Sequence, residues 1–280
     1  MEILLCTNST SPDQPALGYG MWLAKLLGYP IVLLGIVEKR GSSRDIEKLI
    51  DETSRQMVDQ GISCRSLIVP GSAEGVIARG AARGEVLTIV GSLSRSRWQR
   101  FWRGSSFRRL MDSIASPLLH VPSAHLQLRR ILLCTGGLQY TRGATDIVGR
   151  IAQAAHAKVT LLHVTEPASL HYPPADELQD DQQDILVSSA PQALHVQQTL
   201  NEFDRAGIHA ELKHRRGYIV REIIAEVRDM EYDMVGMGSP YGMRTLRHLF
   251  TPNVTAEVQE ALSLPMLVAR HEREKNEGAD

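Results

Sequence analysis

Short runs of apolar residues recur along the whole chain, separated by longer stretches that mix apolar and charged residues. Examples are Ile31–Val37, residues 67–69 and Val86–Val90, which are rich in Ile, Val and Leu and end at Gly, Pro or charged residues. Continuous hydrophobicity, rather than strict alternation, is typical of strands that are buried on both faces of a parallel sheet. Each run therefore predicts such a strand.

The intervening stretches carry apolar residues at helical spacing. Residues 43–60 are an example, because their apolar positions recur near the helical period among Arg, Lys, Asp and Glu. The positions expected to face the core are Ile46, Leu49, Ile50, Met57 and Val58. Regular alternation of strands and helices favours an α/β fold with a doubly wound parallel sheet, in which ligands bind beyond the carboxyl ends of the strands.

The whole pattern occurs twice. Residues 3–7 recur letter for letter at 131–135, an offset of 128, while the later elements recur at offsets of 146 to 148. The second repeat therefore carries an insertion, which we place in a surface loop at about 167–189, a stretch rich in Asp, Gln and Pro. We expect two tandem domains, 1–124 and 125–280, each with five strands.

Composition narrows the class of protein. The chain has 280 residues, 43% hydrophobic and 22% charged, with a formal net charge of -1 and three cysteines at wide spacing. Near-neutrality disfavours nucleic acid as a partner, and the cysteines form neither a disulfide framework nor a zinc site. No apolar run approaches the roughly 20 residues that span a bilayer. The chain starts directly with a strand pattern, so we expect a cytoplasmic protein without a signal peptide.

A candidate anion site follows the fourth strand of each repeat. In the first repeat Gly91-Ser92 is followed by Gly104-Ser105, and in the second Gly238-Ser239 is followed by residues 251–253, Thr-Pro-Asn. Bare backbone amides at a strand end, together with a helix N-terminus, can hold phosphate. A second interpretation stays open, in which the glycines simply end strands and Ser105 and Asn253 cap the next helices.

These features resemble the universal stress protein family in its tandem two-domain form, over nearly the whole chain apart from the insertion and the tail. The resemblance rests on residues 3–7 and 131–135, on the two Gly-Ser strand ends, and on the segment from Gly104-Ser105 or Pro252-Asn253 to the next proline. It implies flavodoxin-sized, adenine-nucleotide alpha hydrolase-like domains that pair through their last strands. We therefore expect strands 117–121 and 265–269 to meet edge to edge in a pseudo-dimer.

Many members of this family bind ATP through Gly, two residues, Gly, nine residues, Gly, then Ser or Thr, and this chain departs from that motif. In the first repeat Ser94 replaces the second glycine, and Asn8 replaces the family's acidic residue. In the second repeat Tyr241, Pro252 and Gly136 stand at the corresponding positions, and proline has no N–H to donate. The resemblance thus implies ATP or a related nucleotide in domain 1 only. Its contacts would be Asn8, Ile36, Gly91, Ser92, Gly104 and Ser105.

The segment 95–109 is the densest run of positive charge and also contains aromatic residues. Arginines beside the crevice can pair with phosphate, and Arg with Trp is a frequent combination at protein interfaces. Single-stranded nucleic acid is a weaker possibility in a neutral protein. In a fourth interpretation Trp98, Phe101 and Trp102 cover the core at helical spacing while the arginines face solvent.

Signals for catalysis are missing from the sequence. It contains neither a G-x-S-x-G nucleophile elbow nor a G-x-x-x-x-G-K-[ST] phosphate loop, and its histidines lack the spacing of a zinc pair. Cys6 and Cys134 lie within the first strands as small core residues, and His163 is expected to be packed. We expect a non-catalytic, metal-free stress-response protein. The alternative is a nucleotide-independent scaffold that docks a protein partner through 95–109, and a further homodimer stays open.

Overall fold

The computed structural model describes most of the chain. The described residues are 1–8, 14–38, 43–82, 84–91, 103–114, 116–123, 126–136, 141–165, 191–239 and 254–270. The predicted insertion at 167–189, the domain boundary between residues 124 and 125, and most of segment 95–109 lie outside them. Within the described residues, strands and helices alternate in each repeat as the sequence predicts.

The helices and strands have the following bounds. In the first repeat they are β1 (Glu2–Thr7), α1 (Gln14–Leu27), β2 (Ile31–Val37), α2 (Ser43–Asp59), β3 (Cys64–Pro70), α3 (Ala73–Ala81), β4 (Val86–Val90), α4 (Arg103–Ser113) and β5 (Leu118–His120). In the second repeat they are β6 (Arg130–Thr135), α5 (Arg142–Ala155), β7 (Lys158–Thr165), α6 (Pro191–Arg205), β8 (Ala210–Arg216), α7 (Ile219–Asp229), β9 (Met234–Ser239), α8 (Val254–Ala261) and β10 (Met266–Arg270).

The described strands form one sheet of ten, in the order β3-β2-β1-β4-β5-β10-β9-β6-β7-β8. Neighbouring strands are parallel except β5 and β10, which pair antiparallel where the two repeats meet. This confirms the doubly wound α/β fold and the edge-to-edge pairing of the last strands. On either side of this joint, α1 contacts α5 and α4 contacts α8. The repeats are therefore related by an approximate twofold axis.

Two hydrophobic cores lie on opposite faces of the sheet. Ile3 and Leu5 face the core that is covered by α1, α2, α5 and α6, while Leu4 and Cys6 face the core covered by α3, α4, α7 and α8. Successive residues of a strand point to opposite faces, so a strand covered on both sides must be apolar at every position. Each core runs through both repeats, which makes the joint between them part of the hydrophobic interior.

Two sequence predictions about burial are wrong. Residues 67–69 were expected to be buried on both faces, but β3 is the outer strand of the first repeat, and Leu67 and Ile68 are 36% and 39% exposed. In α2, Ile46, Ile50 and Met57 are buried as predicted, whereas Val58 is 67% exposed. Val58 directly follows Met57, and one residue turns a helix by about 100°, so both cannot face the core fully.

Candidate functional site

The candidate crevice of the first repeat lies at the carboxyl ends of β1 and β4. These strands are parallel neighbours, with Cys6 opposite Val90, so Asn8 and Gly91 follow adjacent strand ends. From β1 the chain continues through α1 to β2, whereas from β4 it continues through α4 to β5, on the opposite side and the opposite face. Connections that diverge in this way leave an open crevice between them, the usual ligand position in doubly wound sheets.

The structure brings together some of the predicted site residues. Asn8 is half-buried and Gly91 is buried at this crevice, and Gly104 and Ser105 belong to the first turn of α4. The first four backbone N–H groups of a helix have no partner within it, so this turn offers donors to an anion. The helix begins at Arg103, which places Ser105 inside it. The interpretation of Ser105 as the N-cap is therefore wrong. Ser92 lies outside the described residues.

Ile36 occupies a different environment from the other predicted site residues. It lies within β2, and its side chain is 2% exposed in the core beneath α3 and α4. A side chain in this position cannot touch a ligand in the crevice. The end of β2 is instead continued by Glu38, whose carboxylate accepts a hydrogen bond from the backbone N–H of Ala73 at 3.3 Å. Glu38 thereby stabilises the start of α3.

The corresponding crevice of the second repeat lies at the ends of β6 and β9, where Cys134 is opposite Met237. Gly136 is exposed there, and a Cβ added to it would meet no atom within 4 Å. Tyr241 and Pro252 lie outside the described residues. His163, in β7 on the other side of β6, is half-buried, and its Nδ1 is 3.1 Å from the carbonyl oxygen of Thr135.

The family model of the universal stress proteins matches residues 127–270, which is just over half of the 280-residue chain. The chain belongs to the universal stress protein family. The matched residues are those of the second repeat, and the first repeat shares its strand order in mirrored arrangement around the joint.

Solved structures share the tandem fold of this universal stress protein. A universal stress protein from Archaeoglobus fulgidus is similar with a TM-score of 0.69 at 15% identity, covering 99% of this chain and 97% of that one. A functionally unknown protein from Pseudomonas aeruginosa has the same TM-score and identity, covering 96% and 92%. The cytoplasmic domain of a prokaryotic cation chloride cotransporter has a TM-score of 0.57 at 11% identity, covering 96% and 95%. No curated protein sequence matches the chain significantly.

The joint between the repeats of this universal stress protein contains a buried histidine that sequence reasoning missed. His120 lies in β5 opposite Met266 of β10, and its ring is 5.3 Å from that of Phe107. Its Nδ1 is 3.4 Å from the side-chain nitrogen of Gln259, on α8 of the other repeat. Burial lowers the pKa of His120 to about 4, so its ring is neutral at physiological pH.

The second repeat also contains a buried ionic network between β8 and α7. Glu226 is 0% exposed and receives hydrogen bonds from Lys213 at 2.9 Å, from Arg215 at 2.7 Å and from the Tyr232 hydroxyl at 2.7 Å. Burial opposes ionisation of Glu226, but these hydrogen bonds outweigh it and hold the pKa of its carboxyl below the usual range. Arg215 also bonds Glu222 and Asp229 at the surface.

The cysteine in the first strand of each repeat is used for packing. Cys6 and Cys134 are buried core residues, as predicted, and burial raises the pKa of the Cys134 thiol to about 12. Among the described residues, His, Cys, Asp and Glu nowhere form a group of three that could hold a metal ion. In the same part of the chain, helices with the length and apolar composition to cross a bilayer are not found.

Proposed function

We propose that this protein is a non-catalytic, cytoplasmic stress-response protein that binds ATP or a related nucleotide in its first repeat only. The observation that carries the proposal is the crevice at the diverging ends of β1 and β4, with Asn8 and Gly91 on its two sides. In this proposal the domains are 1–124 and 125–280, and the second serves mainly as the pairing partner of the first.

Each part of the crevice has a defined role in this proposal. The Asn8 amide bonds the ribose or the base without contributing charge, and the Gly91-Ser92 amides bond phosphate. The first turn of α4, with Gly104 and Ser105, adds backbone donors and the positive end of the helix dipole. Ile36 contributes the strand backbone, because its side chain is buried in the core.

Titration calorimetry with ATP tests the proposal on the intact chain. We expect one nucleotide per chain, and Asn8→Ala should weaken binding roughly two- to tenfold, the usual effect of losing one hydrogen bond. Gly136→Ala is the matched control, since it lies at the equivalent position of the second repeat and the space there accepts a methyl group. Two nucleotides per chain, or equal effects of both substitutions, would contradict the proposal.

A nucleotide-independent scaffold is the competing function, because Arg and Trp are concentrated in segment 95–109. It predicts no heat of ATP binding even at millimolar concentration. It also predicts loss of protein partners on combined Arg100→Ala and Trp102→Ala substitution, with the fold unchanged by circular dichroism. Retention of ATP binding together with unchanged partners in that variant would favour the nucleotide-binding function.

A further inference from the structure

The two outer strands of the sheet, β3 and β8, occupy equivalent positions in the two repeats. Leu34 is opposite Leu67 in the first repeat, and Leu162 is opposite Lys213 in the second, so the registers correspond. Among the described strands, β3 pairs only with β2 and β8 only with β7. An outer strand presents unpaired backbone groups to other chains, and proteins usually protect such edges with charged residues.

The β8 edge is protected in this way. Lys213 and Arg215 replace the apolar Leu67 and Val69 of the first repeat and are held by carboxylates of α7. His214 and Arg216 complete a run of four basic or titratable residues. Four such residues in a row make the β8 edge more polar than the β3 edge, and Lys213 and Arg215 are in addition tied to the carboxylates of α7.

The β3 edge is more apolar than the β8 edge. Leu67 and Ile68 are exposed, and the charged residue within the strand, Arg65, is paired with Glu2 of its own chain at 2.9 Å. Residues 66–69 carry no charge. Two β3 strands can therefore approach each other without like-charge repulsion and with apolar side chains to bury.

The backbone of β3 is also suited to pairing. The carbonyl of Ser63 accepts from Ile31 of β2, and the N–H of Gly71 donates to the carbonyl of Val37. In a parallel pair, every second residue forms backbone hydrogen bonds with the neighbouring strand. The odd-numbered residues of β3 therefore form hydrogen bonds with β2, and Cys64, Ser66 and Ile68 direct their N–H and C=O groups away from the sheet. Pro70, which would also face outward, has no N–H and ends the row.

From these observations we propose that β3 is an association surface for a second copy of this chain, paired antiparallel with the β3 of that copy about a twofold axis. Pairing of β3 with itself closes after two chains, whereas pairing of β3 with β8 would continue without limit. Pairing of β3 with β8 would also place Leu67 and Ile68 against the charged residues of β8. The inference is independent of nucleotide binding, because β3 lies outside the crevice between β1 and β4.

Analytical ultracentrifugation of the full chain over a wide concentration range tests the proposal. The wild type should show a species of twice the chain mass of 31.0 kDa. Ile68→Lys should remove it, because a charged side chain then replaces an apolar one that the pairing buries. His214→Lys is the matched control at the equivalent position of β8 and should leave the dimer unchanged. A monomeric wild type, a dimer that persists in Ile68→Lys, or equal loss in both variants would overturn the proposal.

Amide hydrogen exchange on the wild type gives a second test that does not depend on the folding of any variant. Peptides covering Cys64–Pro70 should gain protection as concentration rises, because Ser66 and Ile68 then donate to the second copy. Peptides covering Ala210–Arg216 should exchange at the same rate at all concentrations. Protection that rises in β8, or in a region other than β3, would overturn the assignment and point to a different partner surface.

Discussion

Leu119 of the first repeat lies directly opposite Leu267 of the second, at the centre of the antiparallel pair that joins the repeats. Both side chains are fully buried in the same core, beneath α1 and α5. The two repeats therefore share one hydrophobic interior at this point. Because a shared interior loses its packing when either side withdraws, we expect the repeats to unfold together.

Truncation of this pair tests the shared interior. Leu119→Ala and Leu267→Ala should each lower the free energy of unfolding by about 2–5 kcal/mol, as buried leucines do. Their effects should not add, with a coupling of at least about 0.5 kcal/mol, because both cavities open in one contact. Urea unfolding of the two single variants and the double variant measures each loss of free energy and the coupling between them. Leu33→Ala, on β2, is the control whose effect should add to that of Leu119→Ala.

His120 predicts a loss of stability in mild acid. Its pKa is lowered from 6.5 to about 4 by burial. The unfolded chain takes up a proton below pH 6.5 while the folded chain does not until about pH 4. Stability is thus lost as the pH falls through this window, by about 3 kcal/mol in total. Charged residues on the adjacent helices, Arg108, Arg109 and Asp112 on α4 and Glu257 and Glu260 on α8, are exposed to solvent.

His120→Leu should remove this contribution. Urea unfolding from pH 7.5 to pH 4.5 should give a shallower decline for the variant than for the wild type. His209, on the surface before β8, provides the control, and His209→Leu should leave the decline unchanged. Parallel curves for wild type and His120→Leu would show that the ring is not held neutral at the joint.

The stability of the second repeat should depend strongly on the buried carboxylate of Glu226. Glu226→Ala leaves Lys213 without its carboxylate and Arg215 with only Glu222 and Asp229, and it should lower the free energy of unfolding by about 1.5–3 kcal/mol, as loss of hydrogen bonds to a charged group does. The triple variant Lys213→Leu, Arg215→Val, Glu226→Ala approximates the first repeat, which has Leu67, Val69 and Gly80 at these positions. It should be more stable than the single variant. A single variant as stable as the wild type in urea would contradict the role of the network.

Tyr19 and Tyr232 are both buried, and thermal stability should respond differently to loss of the hydroxyl at each of them. Within the described residues the Tyr19 hydroxyl has no hydrogen-bond partner, whereas that of Tyr232 donates to Glu226 at 2.7 Å. Tyr19→Phe should leave thermal stability unchanged or raised, because an unpaired buried hydroxyl costs about 1–3 kcal/mol. Tyr232→Phe should lower it. Equal destabilisation by both substitutions, measured by calorimetry, would mean that the Tyr19 hydroxyl is bonded in solution.

Much of the fold could be predicted because its signals are local. The bounds of β2 and β4 match the apolar runs, and the repeat of residues 3–7 at 131–135 predicts that two copies of one unit are joined. The candidate crevice could be predicted in part, since Asn8 and Gly91 follow strands whose ends are adjacent. Ile36 shows the limit, because an apolar residue near a strand end can face a core or a ligand.

By itself the sequence determined the duplication and the α/β class, and the family resemblance implied the pairing of the last strands. Continuous apolar runs, helical spacing and recurring motifs are all properties of neighbouring residues. Only the tertiary structure decided that β3 is an exposed edge, that His120 is buried at the joint, and that Glu226 is surrounded by Lys213 and Arg215. Each of these depends on which distant segment lies alongside, and the exposure and charge environment of a side chain follow from that neighbour.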